Sequence, residues 1–236
     1  SILQGLTKWA ARIDHPTDAP GKVGEAFRQL RTGRPQPVAI EMPLDQLAQK
    51  ANVDLQDAVS DHTRPPVDED ALIKAAELLA GAKAPMIFVG SGAVNCGEAV
   101  QALAEILQAP VIANRTGRGV VSDRHYLSMT HLAGHHLWPD ADVVLAIGTR
   151  LQQPRMNWGT DDKLKIIHVD IDPVEIKRTD TPDVAMVGDA QDIVPALLEA
   201  VGKIAPARAS RKDELLAVQA GVHDMLLDRL GPQMSW

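Results

Sequence analysis

From Asp68 onward the chain alternates short, largely apolar stretches with helix-length amphipathic ones, and few folds accept that pattern. The apolar runs are "MIFVG" (86–90), "PVIAN" (110–114), "VVLAIG" (143–148), "KIIHVDI" (165–171) and "VAMVG" (184–188). Between them, helical spacing puts Leu72, Ala75, Ala76 and Leu79 on one face of a helix over 68–82. The same spacing groups Val100, Leu103, Ile106 and Leu107 over 97–108, and Ile193, Leu197 and Val201 over 190–202. A strand apolar on both faces has to be covered on both faces, and helices that recur between strands supply the cover. The pattern predicts an α/β domain at 68–203, a doubly wound, Rossmann-like parallel sheet. Such sheets bind ligands outside the carboxyl ends of their strands.

The flanks are different. Residues 1–45 show one helix, with Thr17 or Asp18 as its cap and Val23, Ala26, Phe27 and Leu30 as its apolar stripe, followed by one strand, "VAIEM" (38–42). One helix and one strand make no core, so this segment is expected to be loosely ordered or docked on a neighbour rather than to form its own sheet. Residues 46–67 are polar and proline-containing and read as a linker. Residues 204–236 read as a connector, then a helix, "DELLAVQAGVHDMLLDRL", then "GPQMSW" with the apolar Met234 and Trp236. The chain does not begin with Met, so an upstream segment is expected.

The net charge of −7, with Lys and Arg interspersed among acids, offers no row of cations for a nucleic acid. The single Cys96 cannot form an internal disulfide, which suits a reducing cytoplasm. No apolar run approaches the roughly 20 residues that span a bilayer, and the start, "SILQGLTKWAARIDH", has no signal pattern.

Four features carry possible chemistry. "VGSGAVNCGEA" (89–99) follows a strand and precedes a helix. Its Gly90 and Gly92 suit either close approach to a phosphate or simply a tight strand-to-helix turn, and Asn95 breaks the G-x-G-x-x-G spacing. "AIGTRL" (146–151) places Arg150 at a carboxyl edge, suited to grip a diphosphate or to pair with a nearby acid. In "DIDPVEI", Asp172, Pro173 and Glu175 fit N-cap, first helical position and N3 of a capping box. Asp170 has no such local explanation and is the better candidate for ribose hydroxyls. His131 and His135 stand four apart, with His125 and His136 nearby and no acid between them, a pattern that favours loop or helix-end histidines over zinc. No G-x-S-x-G occurs, and Trp9, Trp138 and Trp158 read as isolated packing residues.

Taken in order, "LTKWAARIDHPTDAPGKVGEAFRQLRTGRPQPVAIEMPLD", "APMIFVGSGA", "APVIANRTGRGV", "ADVVLAIGTRL", "KIIHVDIDPVEIKR" and "VGDAQDIVPAL" resemble the middle of a thiamine-diphosphate-dependent enzyme of the acetolactate synthase type. The resemblance implies the end of a pyrimidine-binding domain at 1–45, a linker at 46–67, a central domain at 68–203, and a linker into a diphosphate-binding domain at 204–236. It implies a parent lyase, decarboxylase or carboligase acting on a 2-oxo acid with thiamine diphosphate and Mg²⁺, assembled as a homodimer or homotetramer. The family's activating glutamate would lie upstream, and its Gly-Asp-Gly…Asn metal motif is missing. "GDA" at 188–190 has Ala in third place, and no Asn follows Asn157. The chain itself is therefore expected to be non-catalytic.

The resemblance also implies FAD or ADP at the carboxyl edge. The contacts fall on Gly90, Ser91, Gly92, Asn114, Arg115, Thr116, Arg150, Asp170, Asp172, Glu175, Ile176, Asp189 and Ala190. Between Thr130 and Asp142 the chain is shorter than FAD-containing relatives, and "LQQPR" stands where acetolactate synthases have acids after the Arg. The competing expectation is a free-standing nucleotide-binding module without enzyme activity.

Overall fold

The computed structural model divides into two units, Ser1–Pro65 and Pro66–Trp236, and describes residues 2–57 and 64–231. Met234 and Trp236 lie outside the described residues. In the first unit, β1 (Trp9–Arg12), α1 (Ala19–Arg31) and β2 (Val38–Glu41) precede a single turn, α2 (Leu44–Leu47). β1 and β2 pair in parallel, from Trp9 opposite Val38 to Arg12 opposite Glu41. This corrects the expectation that residues 1–45 form no sheet of their own. "WAAR" is short and has no β-branched residue, so it carries little strand signal. Its pairing with β2 makes it a strand, extended by Lys8 N–H to Pro37 O (2.9 Å) and Ile13 N–H to Glu41 O (2.8 Å).

The Lys8 ammonium then caps the far end of α1, donating to the carbonyls of Gln29 (2.7 Å), Thr32 and Arg34 (3.2 Å). A cation at a helix C-terminus satisfies orphan carbonyls and complements the helix dipole. At the other end Asp18 holds the cap position without a side-chain bond to the helix. Among the described residues of this unit, Ile13 and Ala26 are the buried hydrophobic ones, whereas Val23, Phe27 and Ile40 are exposed.

The second unit runs α3 (Glu69–Gly81), β3 (Pro85–Val89), α4 (Gly97–Leu107), β4 (Val111–Ala113), β5 (Ser128–Met129), α5 (His131–Leu137), β6 (Val143–Ile147), β7 (Lys165–Asp170), α6 (Pro173–Ile176), β8 (Val184–Val187), α7 (Ala190–Ile204) and α8 (Lys212–Leu230). Its six strands stand in the order β5-β4-β3-β6-β7-β8, every pairing parallel. The chain begins mid-sheet at β3, winds outward through β4 and β5, returns to β6 beside β3, and winds outward again. This is the doubly wound α/β sheet that the alternation predicts. β3 and β6 are buried at every position, as strands covered on both faces must be. α3 and α4 pack against α7, and α5 packs against α8. β5 and α5 were not anticipated, since two strand residues and seven helical ones fall below any periodic signal. No helix among the described residues is long and apolar enough to cross a membrane.

The winding reverses between β3 and β6, and there two loops meet backbone to backbone. Gly90 N–H donates to Ile147 O at 3.0 Å and Gly92 N–H to Gly148 O at 3.2 Å. A Cβ on Gly90 would stand 2.2 Å from Gly148 O. One on Gly92 would stand 2.7 Å from Gly148 Cα, and one on Gly148, whose φ is +56°, 2.3 Å from Gly92 Cα. The glycines of "VGSG" are thus required by the neighbouring loop. Gly148→Ala combines a left-handed φ with a backbone clash and should destabilise the chain by about 3 kcal/mol or more in urea unfolding. Gly221→Ala, inside α8 with open space around it, should instead stabilise by about 0.5–1 kcal/mol. Similar values for the two would contradict the steric account.

Candidate functional site

Leaving β6, the chain alternates its side chains sharply between interior and edge. Gly148 turns left-handed, Thr149 is buried, Arg150 is exposed, and Leu151 is buried again. Leu151 does so at φ +47° with 1% of its surface exposed. A left-handed non-glycine costs about 1–2 kcal/mol, which burial of a whole leucine side chain offsets. Thr149 is the fixed point. Its hydroxyl accepts Asn114 Nδ2–H, from the loop after β4, and lies 3.4 Å from the Leu151 N–H. Its carbonyl accepts His168 Nε2–H of β7 at 2.8 Å.

Around this point lies a cleft of about 420 Å³ at the carboxyl ends of β4 and β6. Asn114, Thr149 and Arg150 line it, with Gln152 and Gln153 and then Pro154, Met156 and Asn157 from the next turn. That turn, Pro154–Trp158, is a single π-type turn held by Trp158. The indole lies 5.9 Å from Phe88, 5.5 Å from Trp138, 4.6 Å from His131 and 5.0 Å from His135, ring centre to ring centre. Trp138 Nε1–H donates to Gly159 O at 2.6 Å. Trp138 and Trp158 are therefore not isolated packing residues; with Phe88 they anchor the wall of the cleft. His131 and His135 sit on α5 against Trp158, and no group of three or more His, Cys, Asp or Glu side chains among the described residues could hold a metal ion.

The two aspartates of "DIDP" divide differently from the expectation. Asp172 caps α6, accepting Val174 N–H at 2.9 Å. Its own N–H is taken by Asp170 Oδ1 at 2.9 Å, so Asp170 has a local partner after all and fills the reciprocal half of the capping box. Glu175, assigned to that half from sequence, is 4% exposed and binds two guanidinium groups instead. Arg150 Nε donates to Oε2 at 2.7 Å, while Arg178 donates to Oε1 from Nε at 2.9 Å and Nη2 at 2.6 Å. Arg150 therefore pairs with a nearby acid, and its side chain also lines the cleft.

The remaining expected contacts separate. Gly90, Ser91 and Gly92 form the adjoining β3 loop, a 3₁₀ stretch from Ser91 to Cys96 intervening before α4. Arg115 and Thr116 are exposed on a 3₁₀ turn after β4. Asp189 caps α7 by accepting Gln191 N–H at 2.9 Å, and Ile176 and Ala190 are core residues. Sequence reasoning missed Thr149, His168, Met156 and Asn157. Thr149 and His168 lie in the quoted stretches "AIGTRL" and "KIIHVDI", but nothing in the pattern singles out either of them, or Met156 and Asn157, as edge residues.

His168 is 1% exposed on β7. Because Nε2 must donate to the Thr149 carbonyl, Nδ1 is an acceptor, and it has no hydrogen-bond partner. Burial pushes its pKa below the usual histidine value, with Arg155 acting in the same direction, against the pull of Asp170, the Thr149 bond and Glu175. Burial also lowers that of His131, with His135 adding to it.

A profile of the central domain of thiamine pyrophosphate enzymes matches residues 72–197. The chain is 29% identical to the acetolactate synthase isozyme 1 large subunit of Escherichia coli K12, over 83% of this chain and 36% of that protein. It is 31% identical to the glyoxylate carboligase of Escherichia coli O157:H7, over 84% of this chain and 36% of that protein. With a Pseudomonas aeruginosa protein assigned as a 2-ketoarginine decarboxylase it shares 32% identity, over 95% of this chain and 43% of that one. An X-ray structure assigned to a thiamin diphosphate-dependent enzyme from Mycobacterium smegmatis superposes with a TM-score of 0.74 at 21% identity, covering 87% of this chain and 41% of the other. The chain thus spans about two fifths of the length of the relatives it matches.

The depressed pKa of His168 fixes the sign of a pH effect. Above the unfolded histidine value of about 6.5 both states are neutral; below it only the unfolded chain takes the proton. Stability should therefore fall as pH drops from about 6.5 toward the lower folded value, His131 adding in the same direction. His168→Asn keeps a donor for Thr149 O and should flatten the slope between pH 7 and 5.5. An unchanged slope would remove His168 from the account.

Proposed function

This chain belongs to the thiamine pyrophosphate enzymes, and we propose that it is the middle region of a longer one, a decarboxylase or carboligase of the acetolactate synthase type acting on a 2-oxo acid. The observation that carries this reading is the match of residues 72–197, which coincides with the doubly wound sheet. Thiamine diphosphate would supply the electron sink for such a reaction. The residues present do not fit its Mg²⁺-diphosphate end. Asp189 stands in Gly188-Asp189-Ala190, its carboxylate engaged in capping α7, and no Asn follows Asn157. No chemical step is therefore assigned to these residues.

Their own part in this proposal is to hold a nucleotide. Asn114 and Arg150 converge on a cleft at the carboxyl edge, beside the reversal between β3 and β6, where open parallel sheets take such ligands. The donors in its wall are the carboxamides of Asn114, Gln152, Gln153 and Asn157, the Thr149 hydroxyl and the Arg150 guanidinium, groups suited to phosphate and ribose oxygens. At about 420 Å³ the cleft lies toward the small end of ligand pockets, which favours ADP over FAD. The shorter stretch between Thr130 and Asp142 points the same way.

Two measurements test the two halves. Titration calorimetry of the isolated chain with thiamine diphosphate and Mg²⁺ should show no binding; micromolar, Mg²⁺-dependent binding would overturn the middle-region reading. Millimolar ADP should raise the melting temperature, since a ligand at a hundred times its Kd stabilises by about 2.7 kcal/mol. The ligand-induced rise should vanish in Arg150→Ala, whatever that variant's own melting temperature. If neither ADP nor FAD shifts the wild-type chain, the nucleotide half fails.

A further inference from the structure

Glu175 is a carboxylate that a ligand cannot reach. Its side chain is 3% exposed, yet both oxygens bind guanidinium groups that are about half exposed, Arg150 at 53% and Arg178 at 54%. A buried charge without partners is strongly disfavoured, and the two arginines give each of its oxygens a cationic partner. The geometry is asymmetric. Arg178 gives two of its nitrogens to Oε1, whereas Arg150 gives only Nε to Oε2. Nη1 and Nη2 of Arg150, the paired donors that grip a phosphate side by side, make no hydrogen bond among the described residues.

We propose that Glu175 is a positioning residue: held beneath the β6 loop by the β7–α6 turn, it grips Arg150 by Nε and leaves the other two nitrogens free for the diphosphate of a nucleotide in the cleft. The proposal rests on the nucleotide reading above and revises the role that resemblance assigns to Glu175, from ligand contact to support. The turn explains the acids before it. Asp170 holds Asp172 N–H, Asp172 holds Val174 N–H, and Pro173 opens the single turn that ends in Glu175 and Ile176. Ile176, 1% exposed, fixes that turn to the core. Arg178 supplies the second charge, so that the cluster of two arginines and one carboxylate keeps a net positive charge facing an anionic ligand.

The test uses the whole chain, labelled with ¹⁵N, and follows arginine Nε–H signals by NMR alongside calorimetry with ADP. Arg150→Lys identifies the Arg150 signal. In the wild type that signal should exchange slowly with water. In Glu175→Gln it should lose this protection, and the ADP Kd should rise about tenfold or more, as expected when one member of a buried charged pair is neutralised. Arg229→Gln, the loss of one exposed positive charge on α8 outside the cluster, should keep both the Arg150 signal and ADP affinity within about a factor of three. Should Glu175→Gln fail to fold, Glu175→Asp retracts the carboxylate by one methylene and should show the same loss of protection and affinity. The proposal is overturned if the wild-type Arg150 Nε–H exchanges as fast as that of the exposed Arg229. It is equally overturned if the folded variant binds ADP as well as, or better than, wild type, for then Glu175 competes with the ligand. A protected signal in a wild-type chain that binds neither ADP nor FAD would sink the nucleotide reading itself, and would leave Glu175 as a clamp of the fold.

Discussion

Everything at the carboxyl edge depends on the contact between the loops after β3 and β6. Gly148 can lie against Gly90 and Gly92 only because none of the three has a side chain in the way. That contact closes the space between the two central strands and sends the chain after β6 over the edge of the sheet in a left-handed turn. Thr149 is then driven inward to bind Asn114 and His168, Arg150 outward, and Leu151 inward again. The cleft is the consequence. It is walled by Asn114 from the loop after β4 and by the chain after β6, while the space between β3 and β6 is filled by backbone.

Charge is arranged around that geometry in two tiers. The Asp170 and Asp172 carboxylates each bind a backbone N–H and build the β7–α6 turn, while the buried Glu175 carboxylate binds two half-exposed guanidinium groups. Ion pairs between exposed side chains contribute little to stability. Here one partner is buried, so the pair matters for where Arg150 points as well as for stability. His168 lies below, neutral by burial, with its Nδ1 unmatched. A neutral ring there adds no positive charge beneath the arginines at physiological pH.

Much of this was legible in the sequence. The strands at 86–90, 143–148 and 165–171 were placed to within a residue or so, since largely apolar runs between amphipathic helices allow few alternatives. The Asp172 cap was legible because Asp-Pro at a helix start has a local mechanism. β1 was not, because "WAAR" gains its strand character from a partner 29 residues away at Val38. Nor was the role of Glu175, for a capping-box spacing is local while its partner Arg150 comes from another strand. Trp158 and Trp138, far apart in sequence, could be read only as isolated. In each case the missing information was tertiary, which pattern and propensity do not carry.

The measurement that bears most directly on this account is a crystal structure of the chain grown with millimolar ADP and free of Mg²⁺. The account predicts the diphosphate in the cleft over β4 and β6, with oxygens within hydrogen-bond distance of both terminal nitrogens of Arg150, and Arg150 still bound through Nε to Glu175. Density for ADP elsewhere on the chain, or in the cleft with Arg150 swung away from Glu175 to reach it, would contradict it.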